Sequence, residues 1–281
     1  ILLSLLILSF ACSFSLNAPF LLLANHVDIR LIPSGEPNNT VIVASDLKGA
    51  LACDFFFEEQ HIYWIDCLNG RIQYVDMTTP QRKKMDVLVS GMVKPEGLAC
   101  DWIGRKLYWT DRGTKRIEVS ELDGSHRKVL LWNNLDLPRA IAVDPHNRYM
   151  YWTDWGEEPK IERSGMDGSQ REVLINQNIY WPNGITLDYE EGKVYWIEAG
   201  HHFIHRINLD GSQRYEGGEW VGALEHPYAI TLFRDRVYWS DWRTSSLYSI
   251  SKNQTEVPRL VKGDILSPMD LQAYNSQRQK P

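Results

Sequence analysis

Short apolar runs separated by polar turns recur along the chain, and the strongest of them returns five times as Tyr-Trp-x-acid. The copies are Tyr63-Trp64-Ile65-Asp66, Tyr108-Trp109-Thr110-Asp111, Tyr151-Trp152-Thr153-Asp154, Tyr195-Trp196-Ile197-Glu198 and Tyr238-Trp239-Ser240-Asp241, at intervals of 45, 43, 44 and 43 residues. An apolar residue precedes each pair (Ile62, Leu107, Met150, Val194, Val237). Tyr and Trp therefore point to opposite faces of one strand, and both faces need cover from neighbouring elements. Upstream lies a second strand that opens on proline, as in Pro95-Glu96-Gly97-Leu98, Pro138-Arg139-Ala140-Ile141 and Pro182-Asn183-Gly184-Ile185. Proline fits the first position of a strand because it fixes φ and donates nothing to a ladder. A third strand is expected around Ile72, Ile117, Ile161, Ile204 and Leu247. In three repeats it runs into Asp-Gly (Asp123-Gly124, Asp167-Gly168, Asp210-Gly211), a tight-turn signal that leads into a short fourth strand such as Lys128-Val129-Leu130-Leu131. Four strands in about 44 residues is the blade of a β-propeller.

The inner-strand pattern occurs six times, ending at Asp54, Asp101, Asp144, Asp188, Phe233 and, as Ser267-Pro268-Met269-Asp270-Leu271-Gln272-Ala273-Tyr274, at the C-terminus. The last copy has no outer strands after it, whereas Leu21–Ala24, Asp28–Leu31 and Thr40–Val43 read as three strands without an inner one. The predicted fold is all-β: a six-bladed β-propeller of four-stranded antiparallel blades, its sixth blade closed by both termini. Such closure removes free sheet edges and makes the ring depend on both ends.

The apolar run Ile1–Phe10 and the small residues Ala11-Cys12-Ser13 read as a signal peptide over 1–18, truncated at its start. Asn17 and Pro19 interrupt the run before it reaches membrane-spanning length. The propeller is assigned to 19–275. With Cys12 removed, Cys53, Cys67 and Cys100 form an odd set, read as structural thiols without Cys-x-x-Cys spacing for zinc. The net charge of −6 and the lack of a basic patch or phosphate-cradling loop argue against nucleic acid. Asn38-Asn39-Thr40 and Asn253-Gln254-Thr255 are glycosylation triplets that fit a secretory route, with Asn38 and Asn253 the acceptors.

At these tetrapeptides the chain resembles the YWTD β-propeller of the low-density-lipoprotein-receptor family, over almost its whole length. Trp152-Thr153-Asp154-Trp155-Gly156, Pro159-Lys160-Ile161-Glu162-Arg163, Tyr180-Trp181-Pro182-Asn183-Gly184 and Ser267-Pro268-Met269-Asp270-Leu271 are similar to the first propeller of arrow-like Wnt co-receptors. The resemblance implies an extracellular ligand-binding domain of a single-pass plasma-membrane receptor, with no catalysis, no cofactor and no metal. Its implied partners are Wnt proteins, antagonists of the Dickkopf and sclerostin type, and a Frizzled-type receptor in a ternary complex. Residues 276–281 would then be a linker toward an epidermal-growth-factor-like module, and contact with the membrane would come only through regions outside this sequence. The implied site is the top face, where Asn183 holds an Asn-x-Ile peptide beside Arg139, Trp181 and Trp242.

Counting five residues back from each inner-strand end independently gives a ring at one channel mouth: Gly49, Glu96, Arg139, Asn183, Tyr228 and Met269. Trp155, Trp181 and Trp242 lie close by in sequence, as anchors for a protein partner. Asn183 can donate and accept toward a ligand, or can simply make a turn between Pro182 and Gly184. Arg139 can serve the site, pair with Glu96, or both. The tetrapeptide tryptophans are read as core. Lys48, Gly49, Gly70 and Gly113 stand where the arrow-like pattern has acidic residues, Arg112 adds a positive charge, and His26 replaces an arginine. Two binding alternatives remain: a lipoprotein-type propeller releasing cargo through His201, His202 and His205, and a matrix-protein binder of the nidogen type. A calcium-dependent lactonase is disfavoured because Arg139 falls between the oxygen ligands Glu96 and Asn183.

Overall fold

The computed structural model describes residues 18–79, 86–213, 225–253 and 256–281. They form six antiparallel sheets, and in five of these blades the strands run outward in chain order from the inner strand. Blade 1 comprises Ala50–Phe56, His61–Asp66, Arg71–Asp76 and Asp86–Val89, and blade 2 comprises Pro95–Asp101, Lys106–Asp111, Arg116–Glu121 and Lys128–Leu131. Blade 3 comprises Pro138–Asp144, Tyr149–Asp154, Lys160–Gly165 and Glu172–Ile175. Three strands of blade 4 are described, Pro182–Asp188, Lys193–Glu198 and Phe203–Asn208; its expected fourth falls outside the described residues. Blade 5 comprises Pro227–Phe233, Arg236–Asp241, Ser246–Ser251 and Arg259–Lys262.

Blade 6 is made as expected from both ends of the chain, in the order Leu271–Tyr274, Phe20–Ala24, Ile29–Pro33, Val41–Ala44. Phe20 pairs with Tyr274 and Leu23 with Leu271, so the closing seam is a backbone ladder. The expected signal peptide lies almost wholly outside the described residues.

The tetrapeptide tryptophans Trp64, Trp109, Trp152, Trp196 and Trp239 are buried between blades, with Tyr63, Tyr151 and Tyr195 on the opposite faces. Each buried aromatic removes a large apolar surface from water, which is why the same pair recurs in five of the six blades. Arg127 stacks over Trp109 (5.4 Å), and Arg171 over Trp152 (5.5 Å). Gly124, Gly168 and Gly211 take φ between +82° and +87°, the backbone the Asp-Gly turns require. Cys53 and Cys100 are buried free thiols, and Cys67 is half-buried.

The inner strands enclose a central channel. At its lower mouth the segment expected as a linker forms a short 3-10 turn at Ser276–Arg278 and packs against the inner strands. Arg278 donates to Leu187 O (2.9 Å) and lies over Tyr189 (4.9 Å). The Gln279 amide bridges Phe55 O and Phe57 N, and Trp102 Nε1 donates to Lys280 O (2.7 Å).

Candidate functional site: the upper channel mouth

The acid that ends four of the five tetrapeptides accepts backbone N–H groups from the loop entering its own inner strand, whereas Asp66 instead accepts Asn69 N (3.0 Å) and Arg71 Nε (3.1 Å) from the turn that follows it. Asp111 takes Val93 N and Lys94 N (2.8 and 3.0 Å), and Asp154 takes Asp136 N and Leu137 N (2.9 and 2.7 Å). Glu198 takes Tyr180 N and Trp181 N (3.0 and 2.7 Å), and Asp241 takes Glu225 N and His226 N (2.8 and 3.0 Å). Carboxylates that accept several amides form charge-assisted bonds and fix the loops firmly. The motif that packs the blade thus also shapes the upper face.

The hydroxyl before the acid reaches the next blade. Thr110 Oγ1 donates to Arg139 O, Thr153 Oγ1 to Asn183 O (3.1 Å) and Ser240 Oγ to Met269 O (2.7 Å). In blades 1 to 5 each ring residue sits where the inner strand slips register against its neighbour, as between Pro138 and Ile141 in blade 3 and between Pro182 and Ile185 in blade 4. A bulge re-aims its side chain, here toward the mouth. Glycine follows at Gly97 and Gly184 because the next blade passes too close for a side chain; a Cβ on Gly97 would lie 2.3 Å from Arg139 O.

The register corrects one member of the ring. Ala50 pairs with Asp66 as Pro95 pairs with Asp111, so Leu51 and not Gly49 is the counterpart of Glu96. Blade 1 has no proline to mark its start, and its inner strand runs past Asp54 to Phe56.

The eight residues expected at the site converge. Glu96, Arg139, Asn183 and Tyr228 line one cavity with Asp270 and Gln272. Arg139 stacks on Trp155 (5.0 Å) and Tyr228 (4.8 Å), and pairs with Glu96 (3.7 Å), which also holds Arg112 (2.5 Å). Trp155 meets Trp181 edge-on (6.4 Å); Tyr228 stacks on Trp242 (4.9 Å), whose Nε1 donates to Met269 Sδ (3.1 Å). Tyr228 and Met269 are buried beneath the tryptophans, while Trp181 (49% exposed) and Trp242 (37%) face solvent. Burial pushes the Tyr228 hydroxyl up to about 12.

Asn183 lies in the strand and makes no turn. Its Nδ2 donates to Pro227 O (2.8 Å), yet its Oδ1 has no partner although the residue is 4% exposed. A buried acceptor without a donor is costly, and Asn183 is one of the residues that line the cavity.

Several surface residues were not singled out from sequence. Val27, Leu68, Val93, Trp132, Tyr180 and Leu266 are exposed on the upper loops with Trp181 and Trp242, whereas the lower turns expose only Ile103 and Val257 of the large apolar residues described. His201 packs on Tyr180 (4.4 Å) and His226 on Trp242 (5.5 Å). The expected histidine cluster divides, since His205 stacks instead on Trp196 on the blade flank (5.2 Å).

The repeat pattern named low-density lipoprotein receptor repeat class B matches residues 105–145 and 148–189. The low-density lipoprotein receptor-related protein 5 of Mus musculus is 49% identical over 94% of this chain. This is a propeller of low-density lipoprotein receptor class B repeats. The Homo sapiens relative of the same name is 47% identical over 93% of the class B propeller, and the chain spans 16% of the length of either relative. Among solved structures, a chain of a nidogen/laminin complex matches with a TM-score of 0.80 at 27% identity, covering 90% of this propeller and 97% of that chain. A gluconolactonase from Xanthomonas campestris matches at 0.66 with 13% identity, which shows a shared fold alone. The relatives by sequence are receptor propellers and not enzymes.

Proposed function

We propose that this class B propeller is the extracellular ligand-binding domain of a Wnt co-receptor, taking Wnt proteins and Asn-x-Ile antagonists of the Dickkopf and sclerostin type on its upper face, within a complex that includes a Frizzled-type receptor. The observation that carries the reading is the unpartnered Oδ1 of Asn183, a residue that lines the cavity at the aromatic mouth. With Nδ2 committed to Pro227 O, the free oxygen accepts an N–H from an incoming peptide. Trp181, Trp155 and Trp242 around it provide rigid apolar area, the usual anchor of protein interfaces. The glycosylation asparagines Asn38 and Asn253 are exposed in turns at the opposite end of the ring, where glycans leave this face clear.

Calorimetric titration of the folded propeller with an Asn-x-Ile peptide tests the reading, alongside an Asn183→Ala variant of unchanged melting temperature. Saturable binding that weakens by about 1 to 3 kcal/mol in the variant supports it. Absence of binding to the intact domain overturns the peptide assignment. A matrix ligand is the second reading, favoured by the 0.80 TM-score against the nidogen/laminin complex. Cargo release on acidification would act through His201 beside Tyr180, and affinity compared at neutral and acidic pH separates it from signalling-ligand capture.

A further inference from the structure

The upper loops of blades 1 and 2 carry an apolar platform between two cations. Leu68 (69% exposed) lies flat over Gly49, where an added Cβ would come within 2.9 Å of its Cγ. Val93 (57% exposed) lies over Gly113 in the same way, at 2.7 Å. The two segments are stitched together, since Met92 N donates to Gly70 O (3.0 Å) and a Cβ on Gly70 would strike Met92 O. Leu68 and Val93 are therefore neighbouring parts of one surface whose flatness depends on these glycines.

Positive charge outnumbers negative around this platform, with Asp46 the exposed acid beside Lys48. Lys48 and Lys94 flank it, both exposed and neither in an ion pair among the described residues. Nearby Arg112 is neutralised by Glu96 (2.5 Å) and Arg71 by Asp66 (3.1 Å). Asp46, the acid of the same loop as Lys48, takes the Ser45 hydroxyl (3.0 Å). On blade 3 the balance reverses, with Glu157 and Glu158 exposed beside Trp155. A ligand segment crossing the mouth thus meets positive potential over blades 1 and 2 and negative potential over blade 3.

We propose that blades 1 and 2 form a subsite for an acidic segment of a secreted protein, with an aliphatic side chain seated on Leu68 and Val93 and flanking carboxylates reaching Lys48 and Lys94. The inference rests on the reading of the upper face as ligand-binding and specifies the chemistry of one sector. Complementary charge there sets both the association rate and the choice among partners.

The test uses three short peptides on the intact propeller at low ionic strength: an Asn-free isoleucine peptide flanked by aspartates, the same peptide flanked by lysines, and a neutral Asn-x-Ile peptide. The aspartate-flanked peptide is expected to bind roughly tenfold or more tightly than the lysine-flanked one, with the gap shrinking as salt screens the charges. In a Lys48→Glu/Lys94→Glu variant the order inverts, and Leu68→Ser weakens both. Equal affinity for the two charged peptides, a preference for lysines, no binding of the aspartate peptide, or indifference to the double variant overturns the proposal. The neutral peptide keeps the two readings apart. If it alone binds, the acidic subsite is wrong and the Asn183 site stands; if the aspartate peptide alone binds, the reverse holds.

Discussion

Asp54 projects into the channel from blade 1, and replacing it with asparagine is expected to change how the propeller's stability responds to pH. Its carboxylate accepts Cys100 N (2.7 Å) from the next blade and Phe55 N (2.8 Å) from its own strand. Burial pushes the carboxyl up to about 7 from the ordinary 3.8, against the pull of those two bonds. The folded state therefore holds this proton more tightly than the unfolded chain. Its stabilising contribution is complete below about pH 4 and is lost as the pH rises through about 7. About three pH units at 1.36 kcal/mol each set a ceiling of about 4 kcal/mol. Asp54 retains some exposure along the channel, and screening by that water reduces the figure to about 2 kcal/mol. Asp54→Asn removes the titration but gives up one of the two amide bonds, which costs about 1 kcal/mol at every pH. Relative to the parent, the variant is thus expected to be about 1 kcal/mol less stable at pH 4 and about 1 kcal/mol more stable at pH 8. Urea denaturation of both proteins at the two pH values measures this directly, because the difference between them cancels other titrating groups. A parent-to-variant gap that stays constant across pH would refute the reasoning and show that Asp54 is ionised and satisfied by its amides.

Glu198→Ala is expected to destabilise the fold by about 3 kcal/mol, read by thermal melting, because the backbone N–H groups of Tyr180, Trp181 and Gly200 lose their shared acceptor. Arg278→Ala removes the bond to Leu187 O and the stacking on Tyr189, and a loss of about 1 to 2 kcal/mol in denaturant titration is expected. Among the three described cysteines, only Cys67 is expected to react with a thiol reagent in the native protein. Burial pushes the thiols of Cys53 and Cys100 far above their ordinary range, and both should label only on unfolding, as followed by mass spectrometry. An Asp-x-Ile peptide is expected to bind at least about tenfold more weakly than Asn-x-Ile, because it sets a carboxylate oxygen against Asn183 Oδ1; equal affinity by calorimetry would show that this oxygen is not the ligand's partner.

The blade was legible because each of its parts answers a local demand repeated at a fixed interval. Proline opens a strand, glycine makes a tight turn, and the aromatic pair covers two faces; these needs are met by residues close together in sequence. Legibility failed where one of these markers was missing. Blade 1 begins with Ala50 in the place of proline, so counting back from Asp54 landed two residues short of Leu51. In sequence Asp54 matches Asp101, but in the ring it is a channel residue at the level of Ala99, Ala142 and Thr186. The docking of Arg278 and Gln279 carried no periodic signal at all, since their partners Leu187 and Phe55 come from distant blades.

The same distinction separates what a repeat reveals about a site from what it hides. Equivalent positions must face the same way, so convergence of Glu96, Arg139, Asn183, Tyr228 and Met269 followed from counting. The chemical state of each did not, because it is decided across blade boundaries. Asn183 offered a donor and an acceptor in sequence. Its backbone oxygen is taken by Thr153 from the blade before, and its amide nitrogen is spent on Pro227 O in the blade after. Only Oδ1 is left without a partner, a chemical state that exists only once the ring is closed. Where Ile65 and Ile197 replace the bridging hydroxyl, the carbonyls of Glu96 and Tyr228 lack that tether, and those two ring positions are held through their side chains instead. Glu96 is fixed by Arg112 and Arg139, and Tyr228 by Arg139 and Trp242. Arg139 thus joins the two untethered positions across the mouth, and its ion pair with Glu96 is compatible with a role at the mouth because that pair holds the surface in place.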